Sequence, residues 1–417
     1  MLSRVKDTDL YRQILGITPP WDVARVDLDA KALRIDVTLE HAKGKRWACP
    51  ECGELCGLHD HADERSWRHL DSCQFQTFIR ARVPRVHCPE HGVWQARVPW
   101  SEPGSRFTLL FEALAVKVLR ETSVSGGAKL LRVSWDEAHG IMKHAVERGL
   151  AARGELDLRV IGVDEKSLGR RLGFVTLVYD LRRPRVVHIA DGRSREALES
   201  FFLTLEPHQL ARLEAMAMDM AKPYIAAAEE ALPFPEEMIV FDRFHVMKAM
   251  NKAVDEVRRA EHKELVAQGD RRLSNTMHIL RYGEENLPAR YVARLEELKA
   301  SNLKAGRAWA IKETLRALWR CTDAEQALTH WEQWYDWASR SQLEPVKRVA
   351  KMIKGHLGGV LNYLIHRITN AHAEGINGII ERIKNTARGY RNRENFKTAI
   401  LFHCGGLKLD QLALGSG

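Results

Sequence analysis

The order of apolar and polar residues changes character along the chain. Between residues 34 and 40 the two alternate, with Ile35, Val37 and Leu39 on one side, and a similar alternation runs from Phe75 to Val83. A period of two marks half-buried strands, so the first 100 residues read as short strands and turns. Beyond Pro99 and Pro103 the period becomes helical, and Phe107, Leu110, Phe111, Leu114 and Val118 fall on one face. A polar step with a glycine at 151–155 precedes a second change. Strands and helices then alternate from 156 to 242. An apolar run from Leu158 to Val163 ends at Asp164, and strand candidates follow at 172–179 and 185–190. A helix comes next at 195–205, then a strand at 214–218 ending at Asp219, a helix at 223–232, and a strand at 238–241 ending at Asp242. Three neighbouring strands followed by two helix–strand units predict a ribonuclease-H-like domain. From 249 to 343 the pattern is helical throughout, and Trp309, Trp319, Trp331, Trp334 and Trp337 are expected in its core, with stacking of some on flipped or single-stranded bases as the alternative.

The expected fold class is multidomain, α+β with α/β. It comprises a zinc-binding module over 1–100, a helix-turn-helix over 101–153, a ribonuclease-H-like catalytic domain over 154–248, an all-α insertion over 249–345, and a second catalytic part with basic C-terminal helices over 346–417.

Charge narrows the choice of partner. Lys and Arg number 64 against 55 Asp and Glu, a formal net charge of +9, which favours a polyanion such as nucleic acid. No run of 18 apolar residues exists, so no membrane-spanning helix is expected. The first residues lead into no apolar signal core. A reducing cytoplasm is therefore the expected compartment, and the seven cysteines should be thiols or metal ligands.

Two short motifs point to zinc. Cys49-Pro50-Glu51-Cys52-Gly53 and Cys88-Pro89-Glu90-His91-Gly92 are paired knuckles, each with two residues between ligands and a glycine behind. Four soft or borderline ligands in such pairs suit one tetrahedral, structural Zn²⁺. Cys56, Cys73, His59, His61 and His87 are alternative ligands, whereas Cys321 and Cys404 read as core residues. The module would present Arg65, Arg68, Arg80, Arg82 and Arg85 to DNA phosphates. Downstream, residues 123–131 and 135–142 read as two helices joined by Arg132-Val133-Ser134, with Ser134 and Glu137 as a capping box. Ala128, Leu131, Val133 and Ile141 would form the small core of a helix-turn-helix, with Lys129, Arg132 and Lys143 near DNA.

Three carboxylates stand where phosphoryl-transfer chemistry wants them. Asp164 and Asp219 end strands that neighbour each other at roughly 4.8 Å in such a fold. Glu374 lies on a helix whose apolar stripe is Ile376, Ile379, Ile380 and Ile383, with Glu374, Asn377 and Glu381 on the polar face. Two Mg²⁺ (or Mn²⁺) ions per active site, about 3.5–4 Å apart, neutralise phosphate and stabilise the attacking and leaving oxygens. Hard oxygen ligands suit them. Glu165 and Glu381 are local competitors. Asp242 and His245, three residues apart after the last strand, and Asn377 are candidates for steadying the site. Arg382, Lys384, Arg388, Tyr390, Arg391, Arg393 and Lys397 would bring positive charge beside it for a DNA backbone.

These residues resemble the bacterial insertion-sequence transposases of the ISL-three family. The resemblance covers nearly the whole chain: the Cys49-Pro-x-Cys52-Gly knuckle, Trp67-Arg68-His69-Leu70-Asp71, Gly162-Val163-Asp164-Glu165 and Asp242-Arg243-Phe244-His245 all belong to it. So do Thr369-Asn370, Glu374-Gly375-x-Asn377 and Arg388-Gly389-Tyr390-Arg391-Asn392. It implies a zinc-binding N-terminus, a helix-turn-helix and an Asp-Asp-Glu triad, here Asp164, Asp219 and Glu374. Asp242 and His245 match a [Cys/Asp]-x-x-His motif of several transposase groups. The expected partners are double-stranded DNA, as terminal inverted repeats and target, and a second copy of the chain on DNA; the expected setting is the bacterial nucleoid. A DNA-binding regulator with an inactive catalytic domain, and a nuclease without strand transfer, are the competing readings.

Overall fold

The structure is a computed structural model describing residues 6–169, 172–368 and 371–409; Thr369 and Asn370 of the motif above lie outside the described residues. The chain divides into two compact units at Arg153 and Gly154, and residues 407–409 belong with the first. The expected second catalytic part, 346–417, therefore ends at Gly406 in the second unit.

The first unit opens on a short helix, Asp7–Ile14, followed by a sheet. Its strands are β1 (Trp21–Asp29), β2 (Arg34–His41), the short ribbon β3 (Trp47–Ala48) and β4 (Leu55–Cys56), β5 (Leu58–Arg68), β6 (Gln76–Cys88) and β7 (Gly92–Gln95). The main sheet runs β1-β2-β6-β5 with β7 on β6, and β2 lies parallel to β6. Alternation explains the burial: Ile35, Val37 and Leu39 turn inward beside Ile79, Ala81 and Val83. Four tryptophans fill the core, with Trp21 and Trp100 rings 4.9 Å apart and Trp67 and Trp100 rings 5.6 Å apart.

Three helices follow, Leu109–Glu121, Val124–Leu131 and Trp135–Ala151. The second and third are joined as the sequence predicts. Arg132 turns left-handed at φ 56°, and Ser134 and Glu137 form the capping box. Ala128, Leu131 and Ile141 are buried between them, with Val133 half-buried. The predicted stripe on the first helix needs correction. Leu114 is exposed, and Phe111, Ala115, Val116 and Leu119 are buried with Glu112. The face rotates because Glu112 turns inward to meet Arg148 at 3.1 Å and Ser105 Oγ at 2.7 Å. Removing one partner of a buried pair strands the other, at a cost of about 3–5 kcal/mol. Glu112→Ala is expected to lower unfolding stability by that much, measured by urea titration against Glu112→Gln, which keeps the Ser105 bond.

The second unit carries β8 (Val160–Gly169), β9 (Gly173–Asp180), β10 (Arg185–Asp191), β11 (Ala215–Met218) and β12 (Ile239–Phe241), in the order β10-β9-β8-β11-β12. The β8–β9 and β9–β10 pairs are antiparallel; β8–β11 and β11–β12 are parallel. Each predicted strand is present, with one difference. β8 does not stop at Asp164 but runs on to Gly169, because its antiparallel pairing with β9 outlasts its parallel pairing with β11. Residues alternate between two cores. Ile161, Val163, Met216 and Met218 face one side, packed with helices Arg195–Phe202 and Lys222–Ala231. Val160, Ala217, Val175, Leu177 and Tyr179 face the other, packed with helices Ala371–Thr386 and Arg393–Cys404.

A 25-residue helix, Arg243–Ala267, leaves β12 and begins the helical region. Trp309, Trp319, Trp331 and Trp334 are buried there as predicted, whereas Trp337 is exposed. This region is not a separate globule: its core runs without interruption into one face of the sheet. No helix among the described residues is long and apolar enough to cross a membrane.

Candidate active site and metal centre

The β3–β4 turn holds Cys49 and Cys52, and the β6–β7 turn holds Cys88 and His91. The first knuckle is closed by Gly53 N donating to Cys49 O at 2.9 Å and Cys49 N donating to Glu54 O at 2.8 Å. Gly53 and Gly92 take φ +76° and +74°, which a Cβ would strain. The four ligand atoms of Cys49, Cys52, Cys88 and His91 lie within 4.8 Å of one another. Cys52 Sγ and Cys88 Sγ are 3.7 Å apart, and Cys88 Sγ and His91 Nδ1 3.5 Å. A tetrahedron with bonds of about 2.3 Å has edges of roughly 3.8 Å, so the donor set fits Zn²⁺. The hydrogen bond with His91 draws the Cys88 thiol down to about 6, towards the thiolate that binds metal. Among the described residues, this is the one such group of three or more metal-ligating side chains. The alternatives stay outside it: Cys56 donates to Glu54 O, His61 pairs with His41 at 2.8 Å, and Cys73 is exposed. All seven cysteines are free, and Cys321 and Cys404 are buried as predicted.

Strand register fixes where the aspartates leave the sheet. Gly162 on β8 pairs with Ala217 on β11 as the last pair of that parallel ladder, and Asp164 and Asp219 each follow two residues further on. Met218 pairs with Phe241 on β12, and Asp242 N donates to Met218 O at 3.0 Å, adding Asp242 as a third aspartate. By alternation Asp164 shares the face of Val160, which helix Ala371–Thr386 covers. That helix buries Ala373, Ile376 and Ile380. Ile379, predicted in the stripe, is exposed because Ala373 leads the buried row instead.

Asn377 on this helix turns inward, not to a solvent face. Its Nδ2 donates to Asp164 Oδ2 at 2.8 Å, and its Oδ1 accepts from Tyr179 OH at 2.9 Å. Tyr179 is fully buried, and burial pushes its phenol well above the usual value, so it stays a donor and fixes the amide's orientation. Asp164 Oδ1 also accepts from Glu165 N at 2.8 Å, and Asp219 Oδ1 from Ala221 N at 3.0 Å. Glu374, one turn before Asn377, is exposed and lines a cavity of ≈ 420 Å³ with Asp242 and Arg243. Asp164 and Asp219 lie outside its lining, and the acids do not close into a cluster as tight as the cysteines'. Glu381 is held by Lys166 at 3.0 Å, and Glu165 lies 3.7 Å from Arg193. Asp242 Oδ1 caps the long helix through Phe244 N, and His245 lines a neighbouring cavity.

The predicted DNA-facing residues divide in two. Exposed ones are Arg82, Arg85, Lys129, Arg132, Lys143, Arg382, Arg388 and Arg391, of which Arg85 pairs with Asp60, Arg132 with Asp71, and Lys143 with Glu147. Others face inward. Arg68 is buried and pairs with Asp71, so the placement expected for it is corrected: it ties strands together. Arg65 lies over the Trp67 ring, and Arg80 pairs with Asp36 and Glu64. Lys384 donates to Ser167 O, Arg393 to Leu172 O, and Lys397 pairs with Asp191. Tyr390 stacks on Phe396 at 4.6 Å, a packing role. Tyr179 escaped the sequence reading, although a phenol closing the apolar run 174–179 was the available signal.

Residues 161–400 match the family model described as the transposase of the ISL3 type. The chain belongs to the ISL3 transposase family. Residues 45–91 match the zinc-finger of transposase IS204/IS1001/IS1096/IS1165, and residues 96–146 the helix-turn-helix domain of transposase family ISL3. The transposase for insertion sequence element IS1001 of Bordetella parapertussis is 26% identical over 84% of this chain and 86% of its own length. The transposase for insertion sequence element IS1557 of Mycobacterium tuberculosis is 24% identical over 93% of each chain. As an ISL3 transposase the chain has a zinc ribbon, a DNA-binding helix-turn-helix and a transposase domain, and its family implies polynucleotidyl transfer.

Proposed function

We propose that the zinc ribbon and helix-turn-helix bind the terminal inverted repeats of an insertion sequence, and that Asp164, Asp219 and Glu374 serve the cutting and joining of DNA strands. The sheet order and strand directions support a ribonuclease-H-like core over 154–248, completed after the helical region by the segment carrying Glu374. The observation that carries the reading is the Asn377–Asp164 hydrogen bond, made across 213 residues of chain. It ties the helix bearing Glu374 to Asp164, whose strand neighbours the one that leads into Asp219.

The donor set is all carboxylate, which fits Mg²⁺ or Mn²⁺. Two such ions would supply phosphate neutralisation and charge stabilisation on both reacting oxygens. Asp164, Asp219 and Glu374 would hold the ions, with Asp164 the acid oriented by Asn377. Asn377 leaves Asp164 lone pairs free while holding its plane. Water attacks the phosphodiester at the element end and the 3′-oxygen leaves as a hydroxyl; that hydroxyl then attacks a target phosphodiester, with one P–O bond formed and one broken in each step. Exposed Arg382, Arg388 and Arg391 lie on or just after the Glu374 helix and supply positive charge for the DNA backbone. Joining two ends requires at least a dimer on DNA.

An assay with end-containing DNA and Mg²⁺ tests this, because joined products, cleavage alone, or binding alone each select a different reading. Outer partners of metal ligands are worth about 10–100-fold in activity or metal affinity. Asn377→Ala is therefore expected to slow cleavage by that factor and to raise the Mg²⁺ needed for half-maximal rate. An unchanged Mg²⁺ titration would remove Asn377 from the site.

A further inference from the structure

We propose that the groove along the first three turns of helix Arg243–Ala267 seats an unpaired stretch of DNA next to the carboxylates, with a base stacked on Phe244; this rests on the strand-cutting function proposed above. Two cavities, of ≈ 420 and ≈ 630 Å³, meet there and share Phe244, Met247, Asn251 and Arg281. The first also contains Asp242 and Glu374, so the groove starts at Glu374 and leads away along the helix. Volumes of a few hundred Å³ suit single small groups such as nucleotides, not the side of a duplex.

Three features give the groove its chemistry. Phe244 is 54% exposed, although it sits in the first turn of a helix that packs into a core. An exposed ring in a cavity wall is a stacking surface, worth about 1–3 kcal/mol per base. Lys248 and Lys252 follow at i+4 and i+8 on the same stripe. With Arg281 they have no ion-pair partner among the described residues. Arg281 is held in place by Lys312, whose buried Nζ donates to Leu280 O and Tyr282 O, each at 2.7 Å. At the far end Asp255 is already engaged by Arg258 at 2.9 Å and Arg259 at 2.8 Å, so it does not repel a strand.

The third feature selects bases over backbone. Asn251 Oδ1 is buried on the wall shared by both cavities and has no hydrogen-bond partner. An orphaned acceptor calls for a donor. The sugar–phosphate backbone of DNA has no N–H or O–H along its length, whereas base edges carry amino and imino groups. A turn of the Asn251 side chain towards the cavity would bring its amide to the edge of an unpaired base lying on Phe244.

The test compares the affinity of the full-length protein for a blunt end duplex and for the same duplex with a single-stranded extension, with Mg²⁺ withheld. Wild type is expected to favour the tailed DNA by about 10-fold, the lower-middle range for stacking. Phe244→Leu, which keeps an apolar side chain and removes the ring, and Asn251→Ala should each abolish the preference while blunt-end affinity holds. Lys248→Gln with Lys252→Gln should reduce the salt dependence of tailed binding only. Equal wild-type affinity for the two DNAs, or a preference that survives Phe244→Leu, overturns the proposal. Because binding is read without cleavage, loss of strand cutting in the Mg²⁺ assay would refute the enzyme reading separately.

Discussion

Asp164→Asn should lower strand cleavage by about 10³-fold or more while leaving end binding within a few-fold of wild type. The substitution preserves shape and removes charge at one of the acids proposed to hold the ions. Charge stabilisation by such ions contributes several kcal/mol to the transition state, and roughly 4 kcal/mol corresponds to 10³ in rate. Binding should persist because the zinc ribbon and helix-turn-helix belong to the other compact unit. Gel-shift and single-turnover cleavage on the same DNA separate the two effects. Cleavage within 10-fold of wild type would exclude Asp164 from the triad.

Zinc removal should act in the opposite sense, abolishing specific end binding and with it cleavage. Structural zinc contributes on the order of 10 kcal/mol in small modules. Here the ribbon between β3 and β4 has only two residues in each strand, too little hydrogen bonding to hold the turn alone. Chelation, or Cys88→Ser, should therefore open the segment 45–95 to protease, with end affinity falling at least 100-fold. Lowering the pH acts in the same direction, since the ligands bind as thiolate and neutral imidazole and protons compete for them. Atomic absorption showing one zinc per chain, lost in Cys88→Ser, is the direct check; a chelated protein that still binds ends normally would rule out this role.

Much of this was legible in the sequence, for reasons that are local. The knuckles, the Ser134–Glu137 capping box and the strand endings at Asp219 and Asp242 are each written within a few residues, where spacing and turn chemistry decide structure. What escaped was set by packing between distant segments. The first helix of the DNA-binding region turns because Glu112 finds Arg148, and neither residue signals that in an apolar pattern. Arg68 looked like a phosphate contact, yet Asp71, three residues on, anchors it in the interior. Asn377 was read on the polar face of its helix, and only the buried Tyr179 hydroxyl explains why an amide points into a sheet. The extension of β8 beyond Asp164 likewise depends on β9, which pairs where β11 has already stopped.

The bond between Asp164 and Asn377 also bears on the order in which the proposed activities arise during synthesis. A ribosome completes the DNA-binding modules and two of the three proposed acids well before it reaches residue 374. A chain released early would thus carry the means to occupy an element's ends without the means to break them. On the proposed function, a product ending before residue 374 would compete with the longer chain for the same ends, and strand cutting would wait on translation through Asn377.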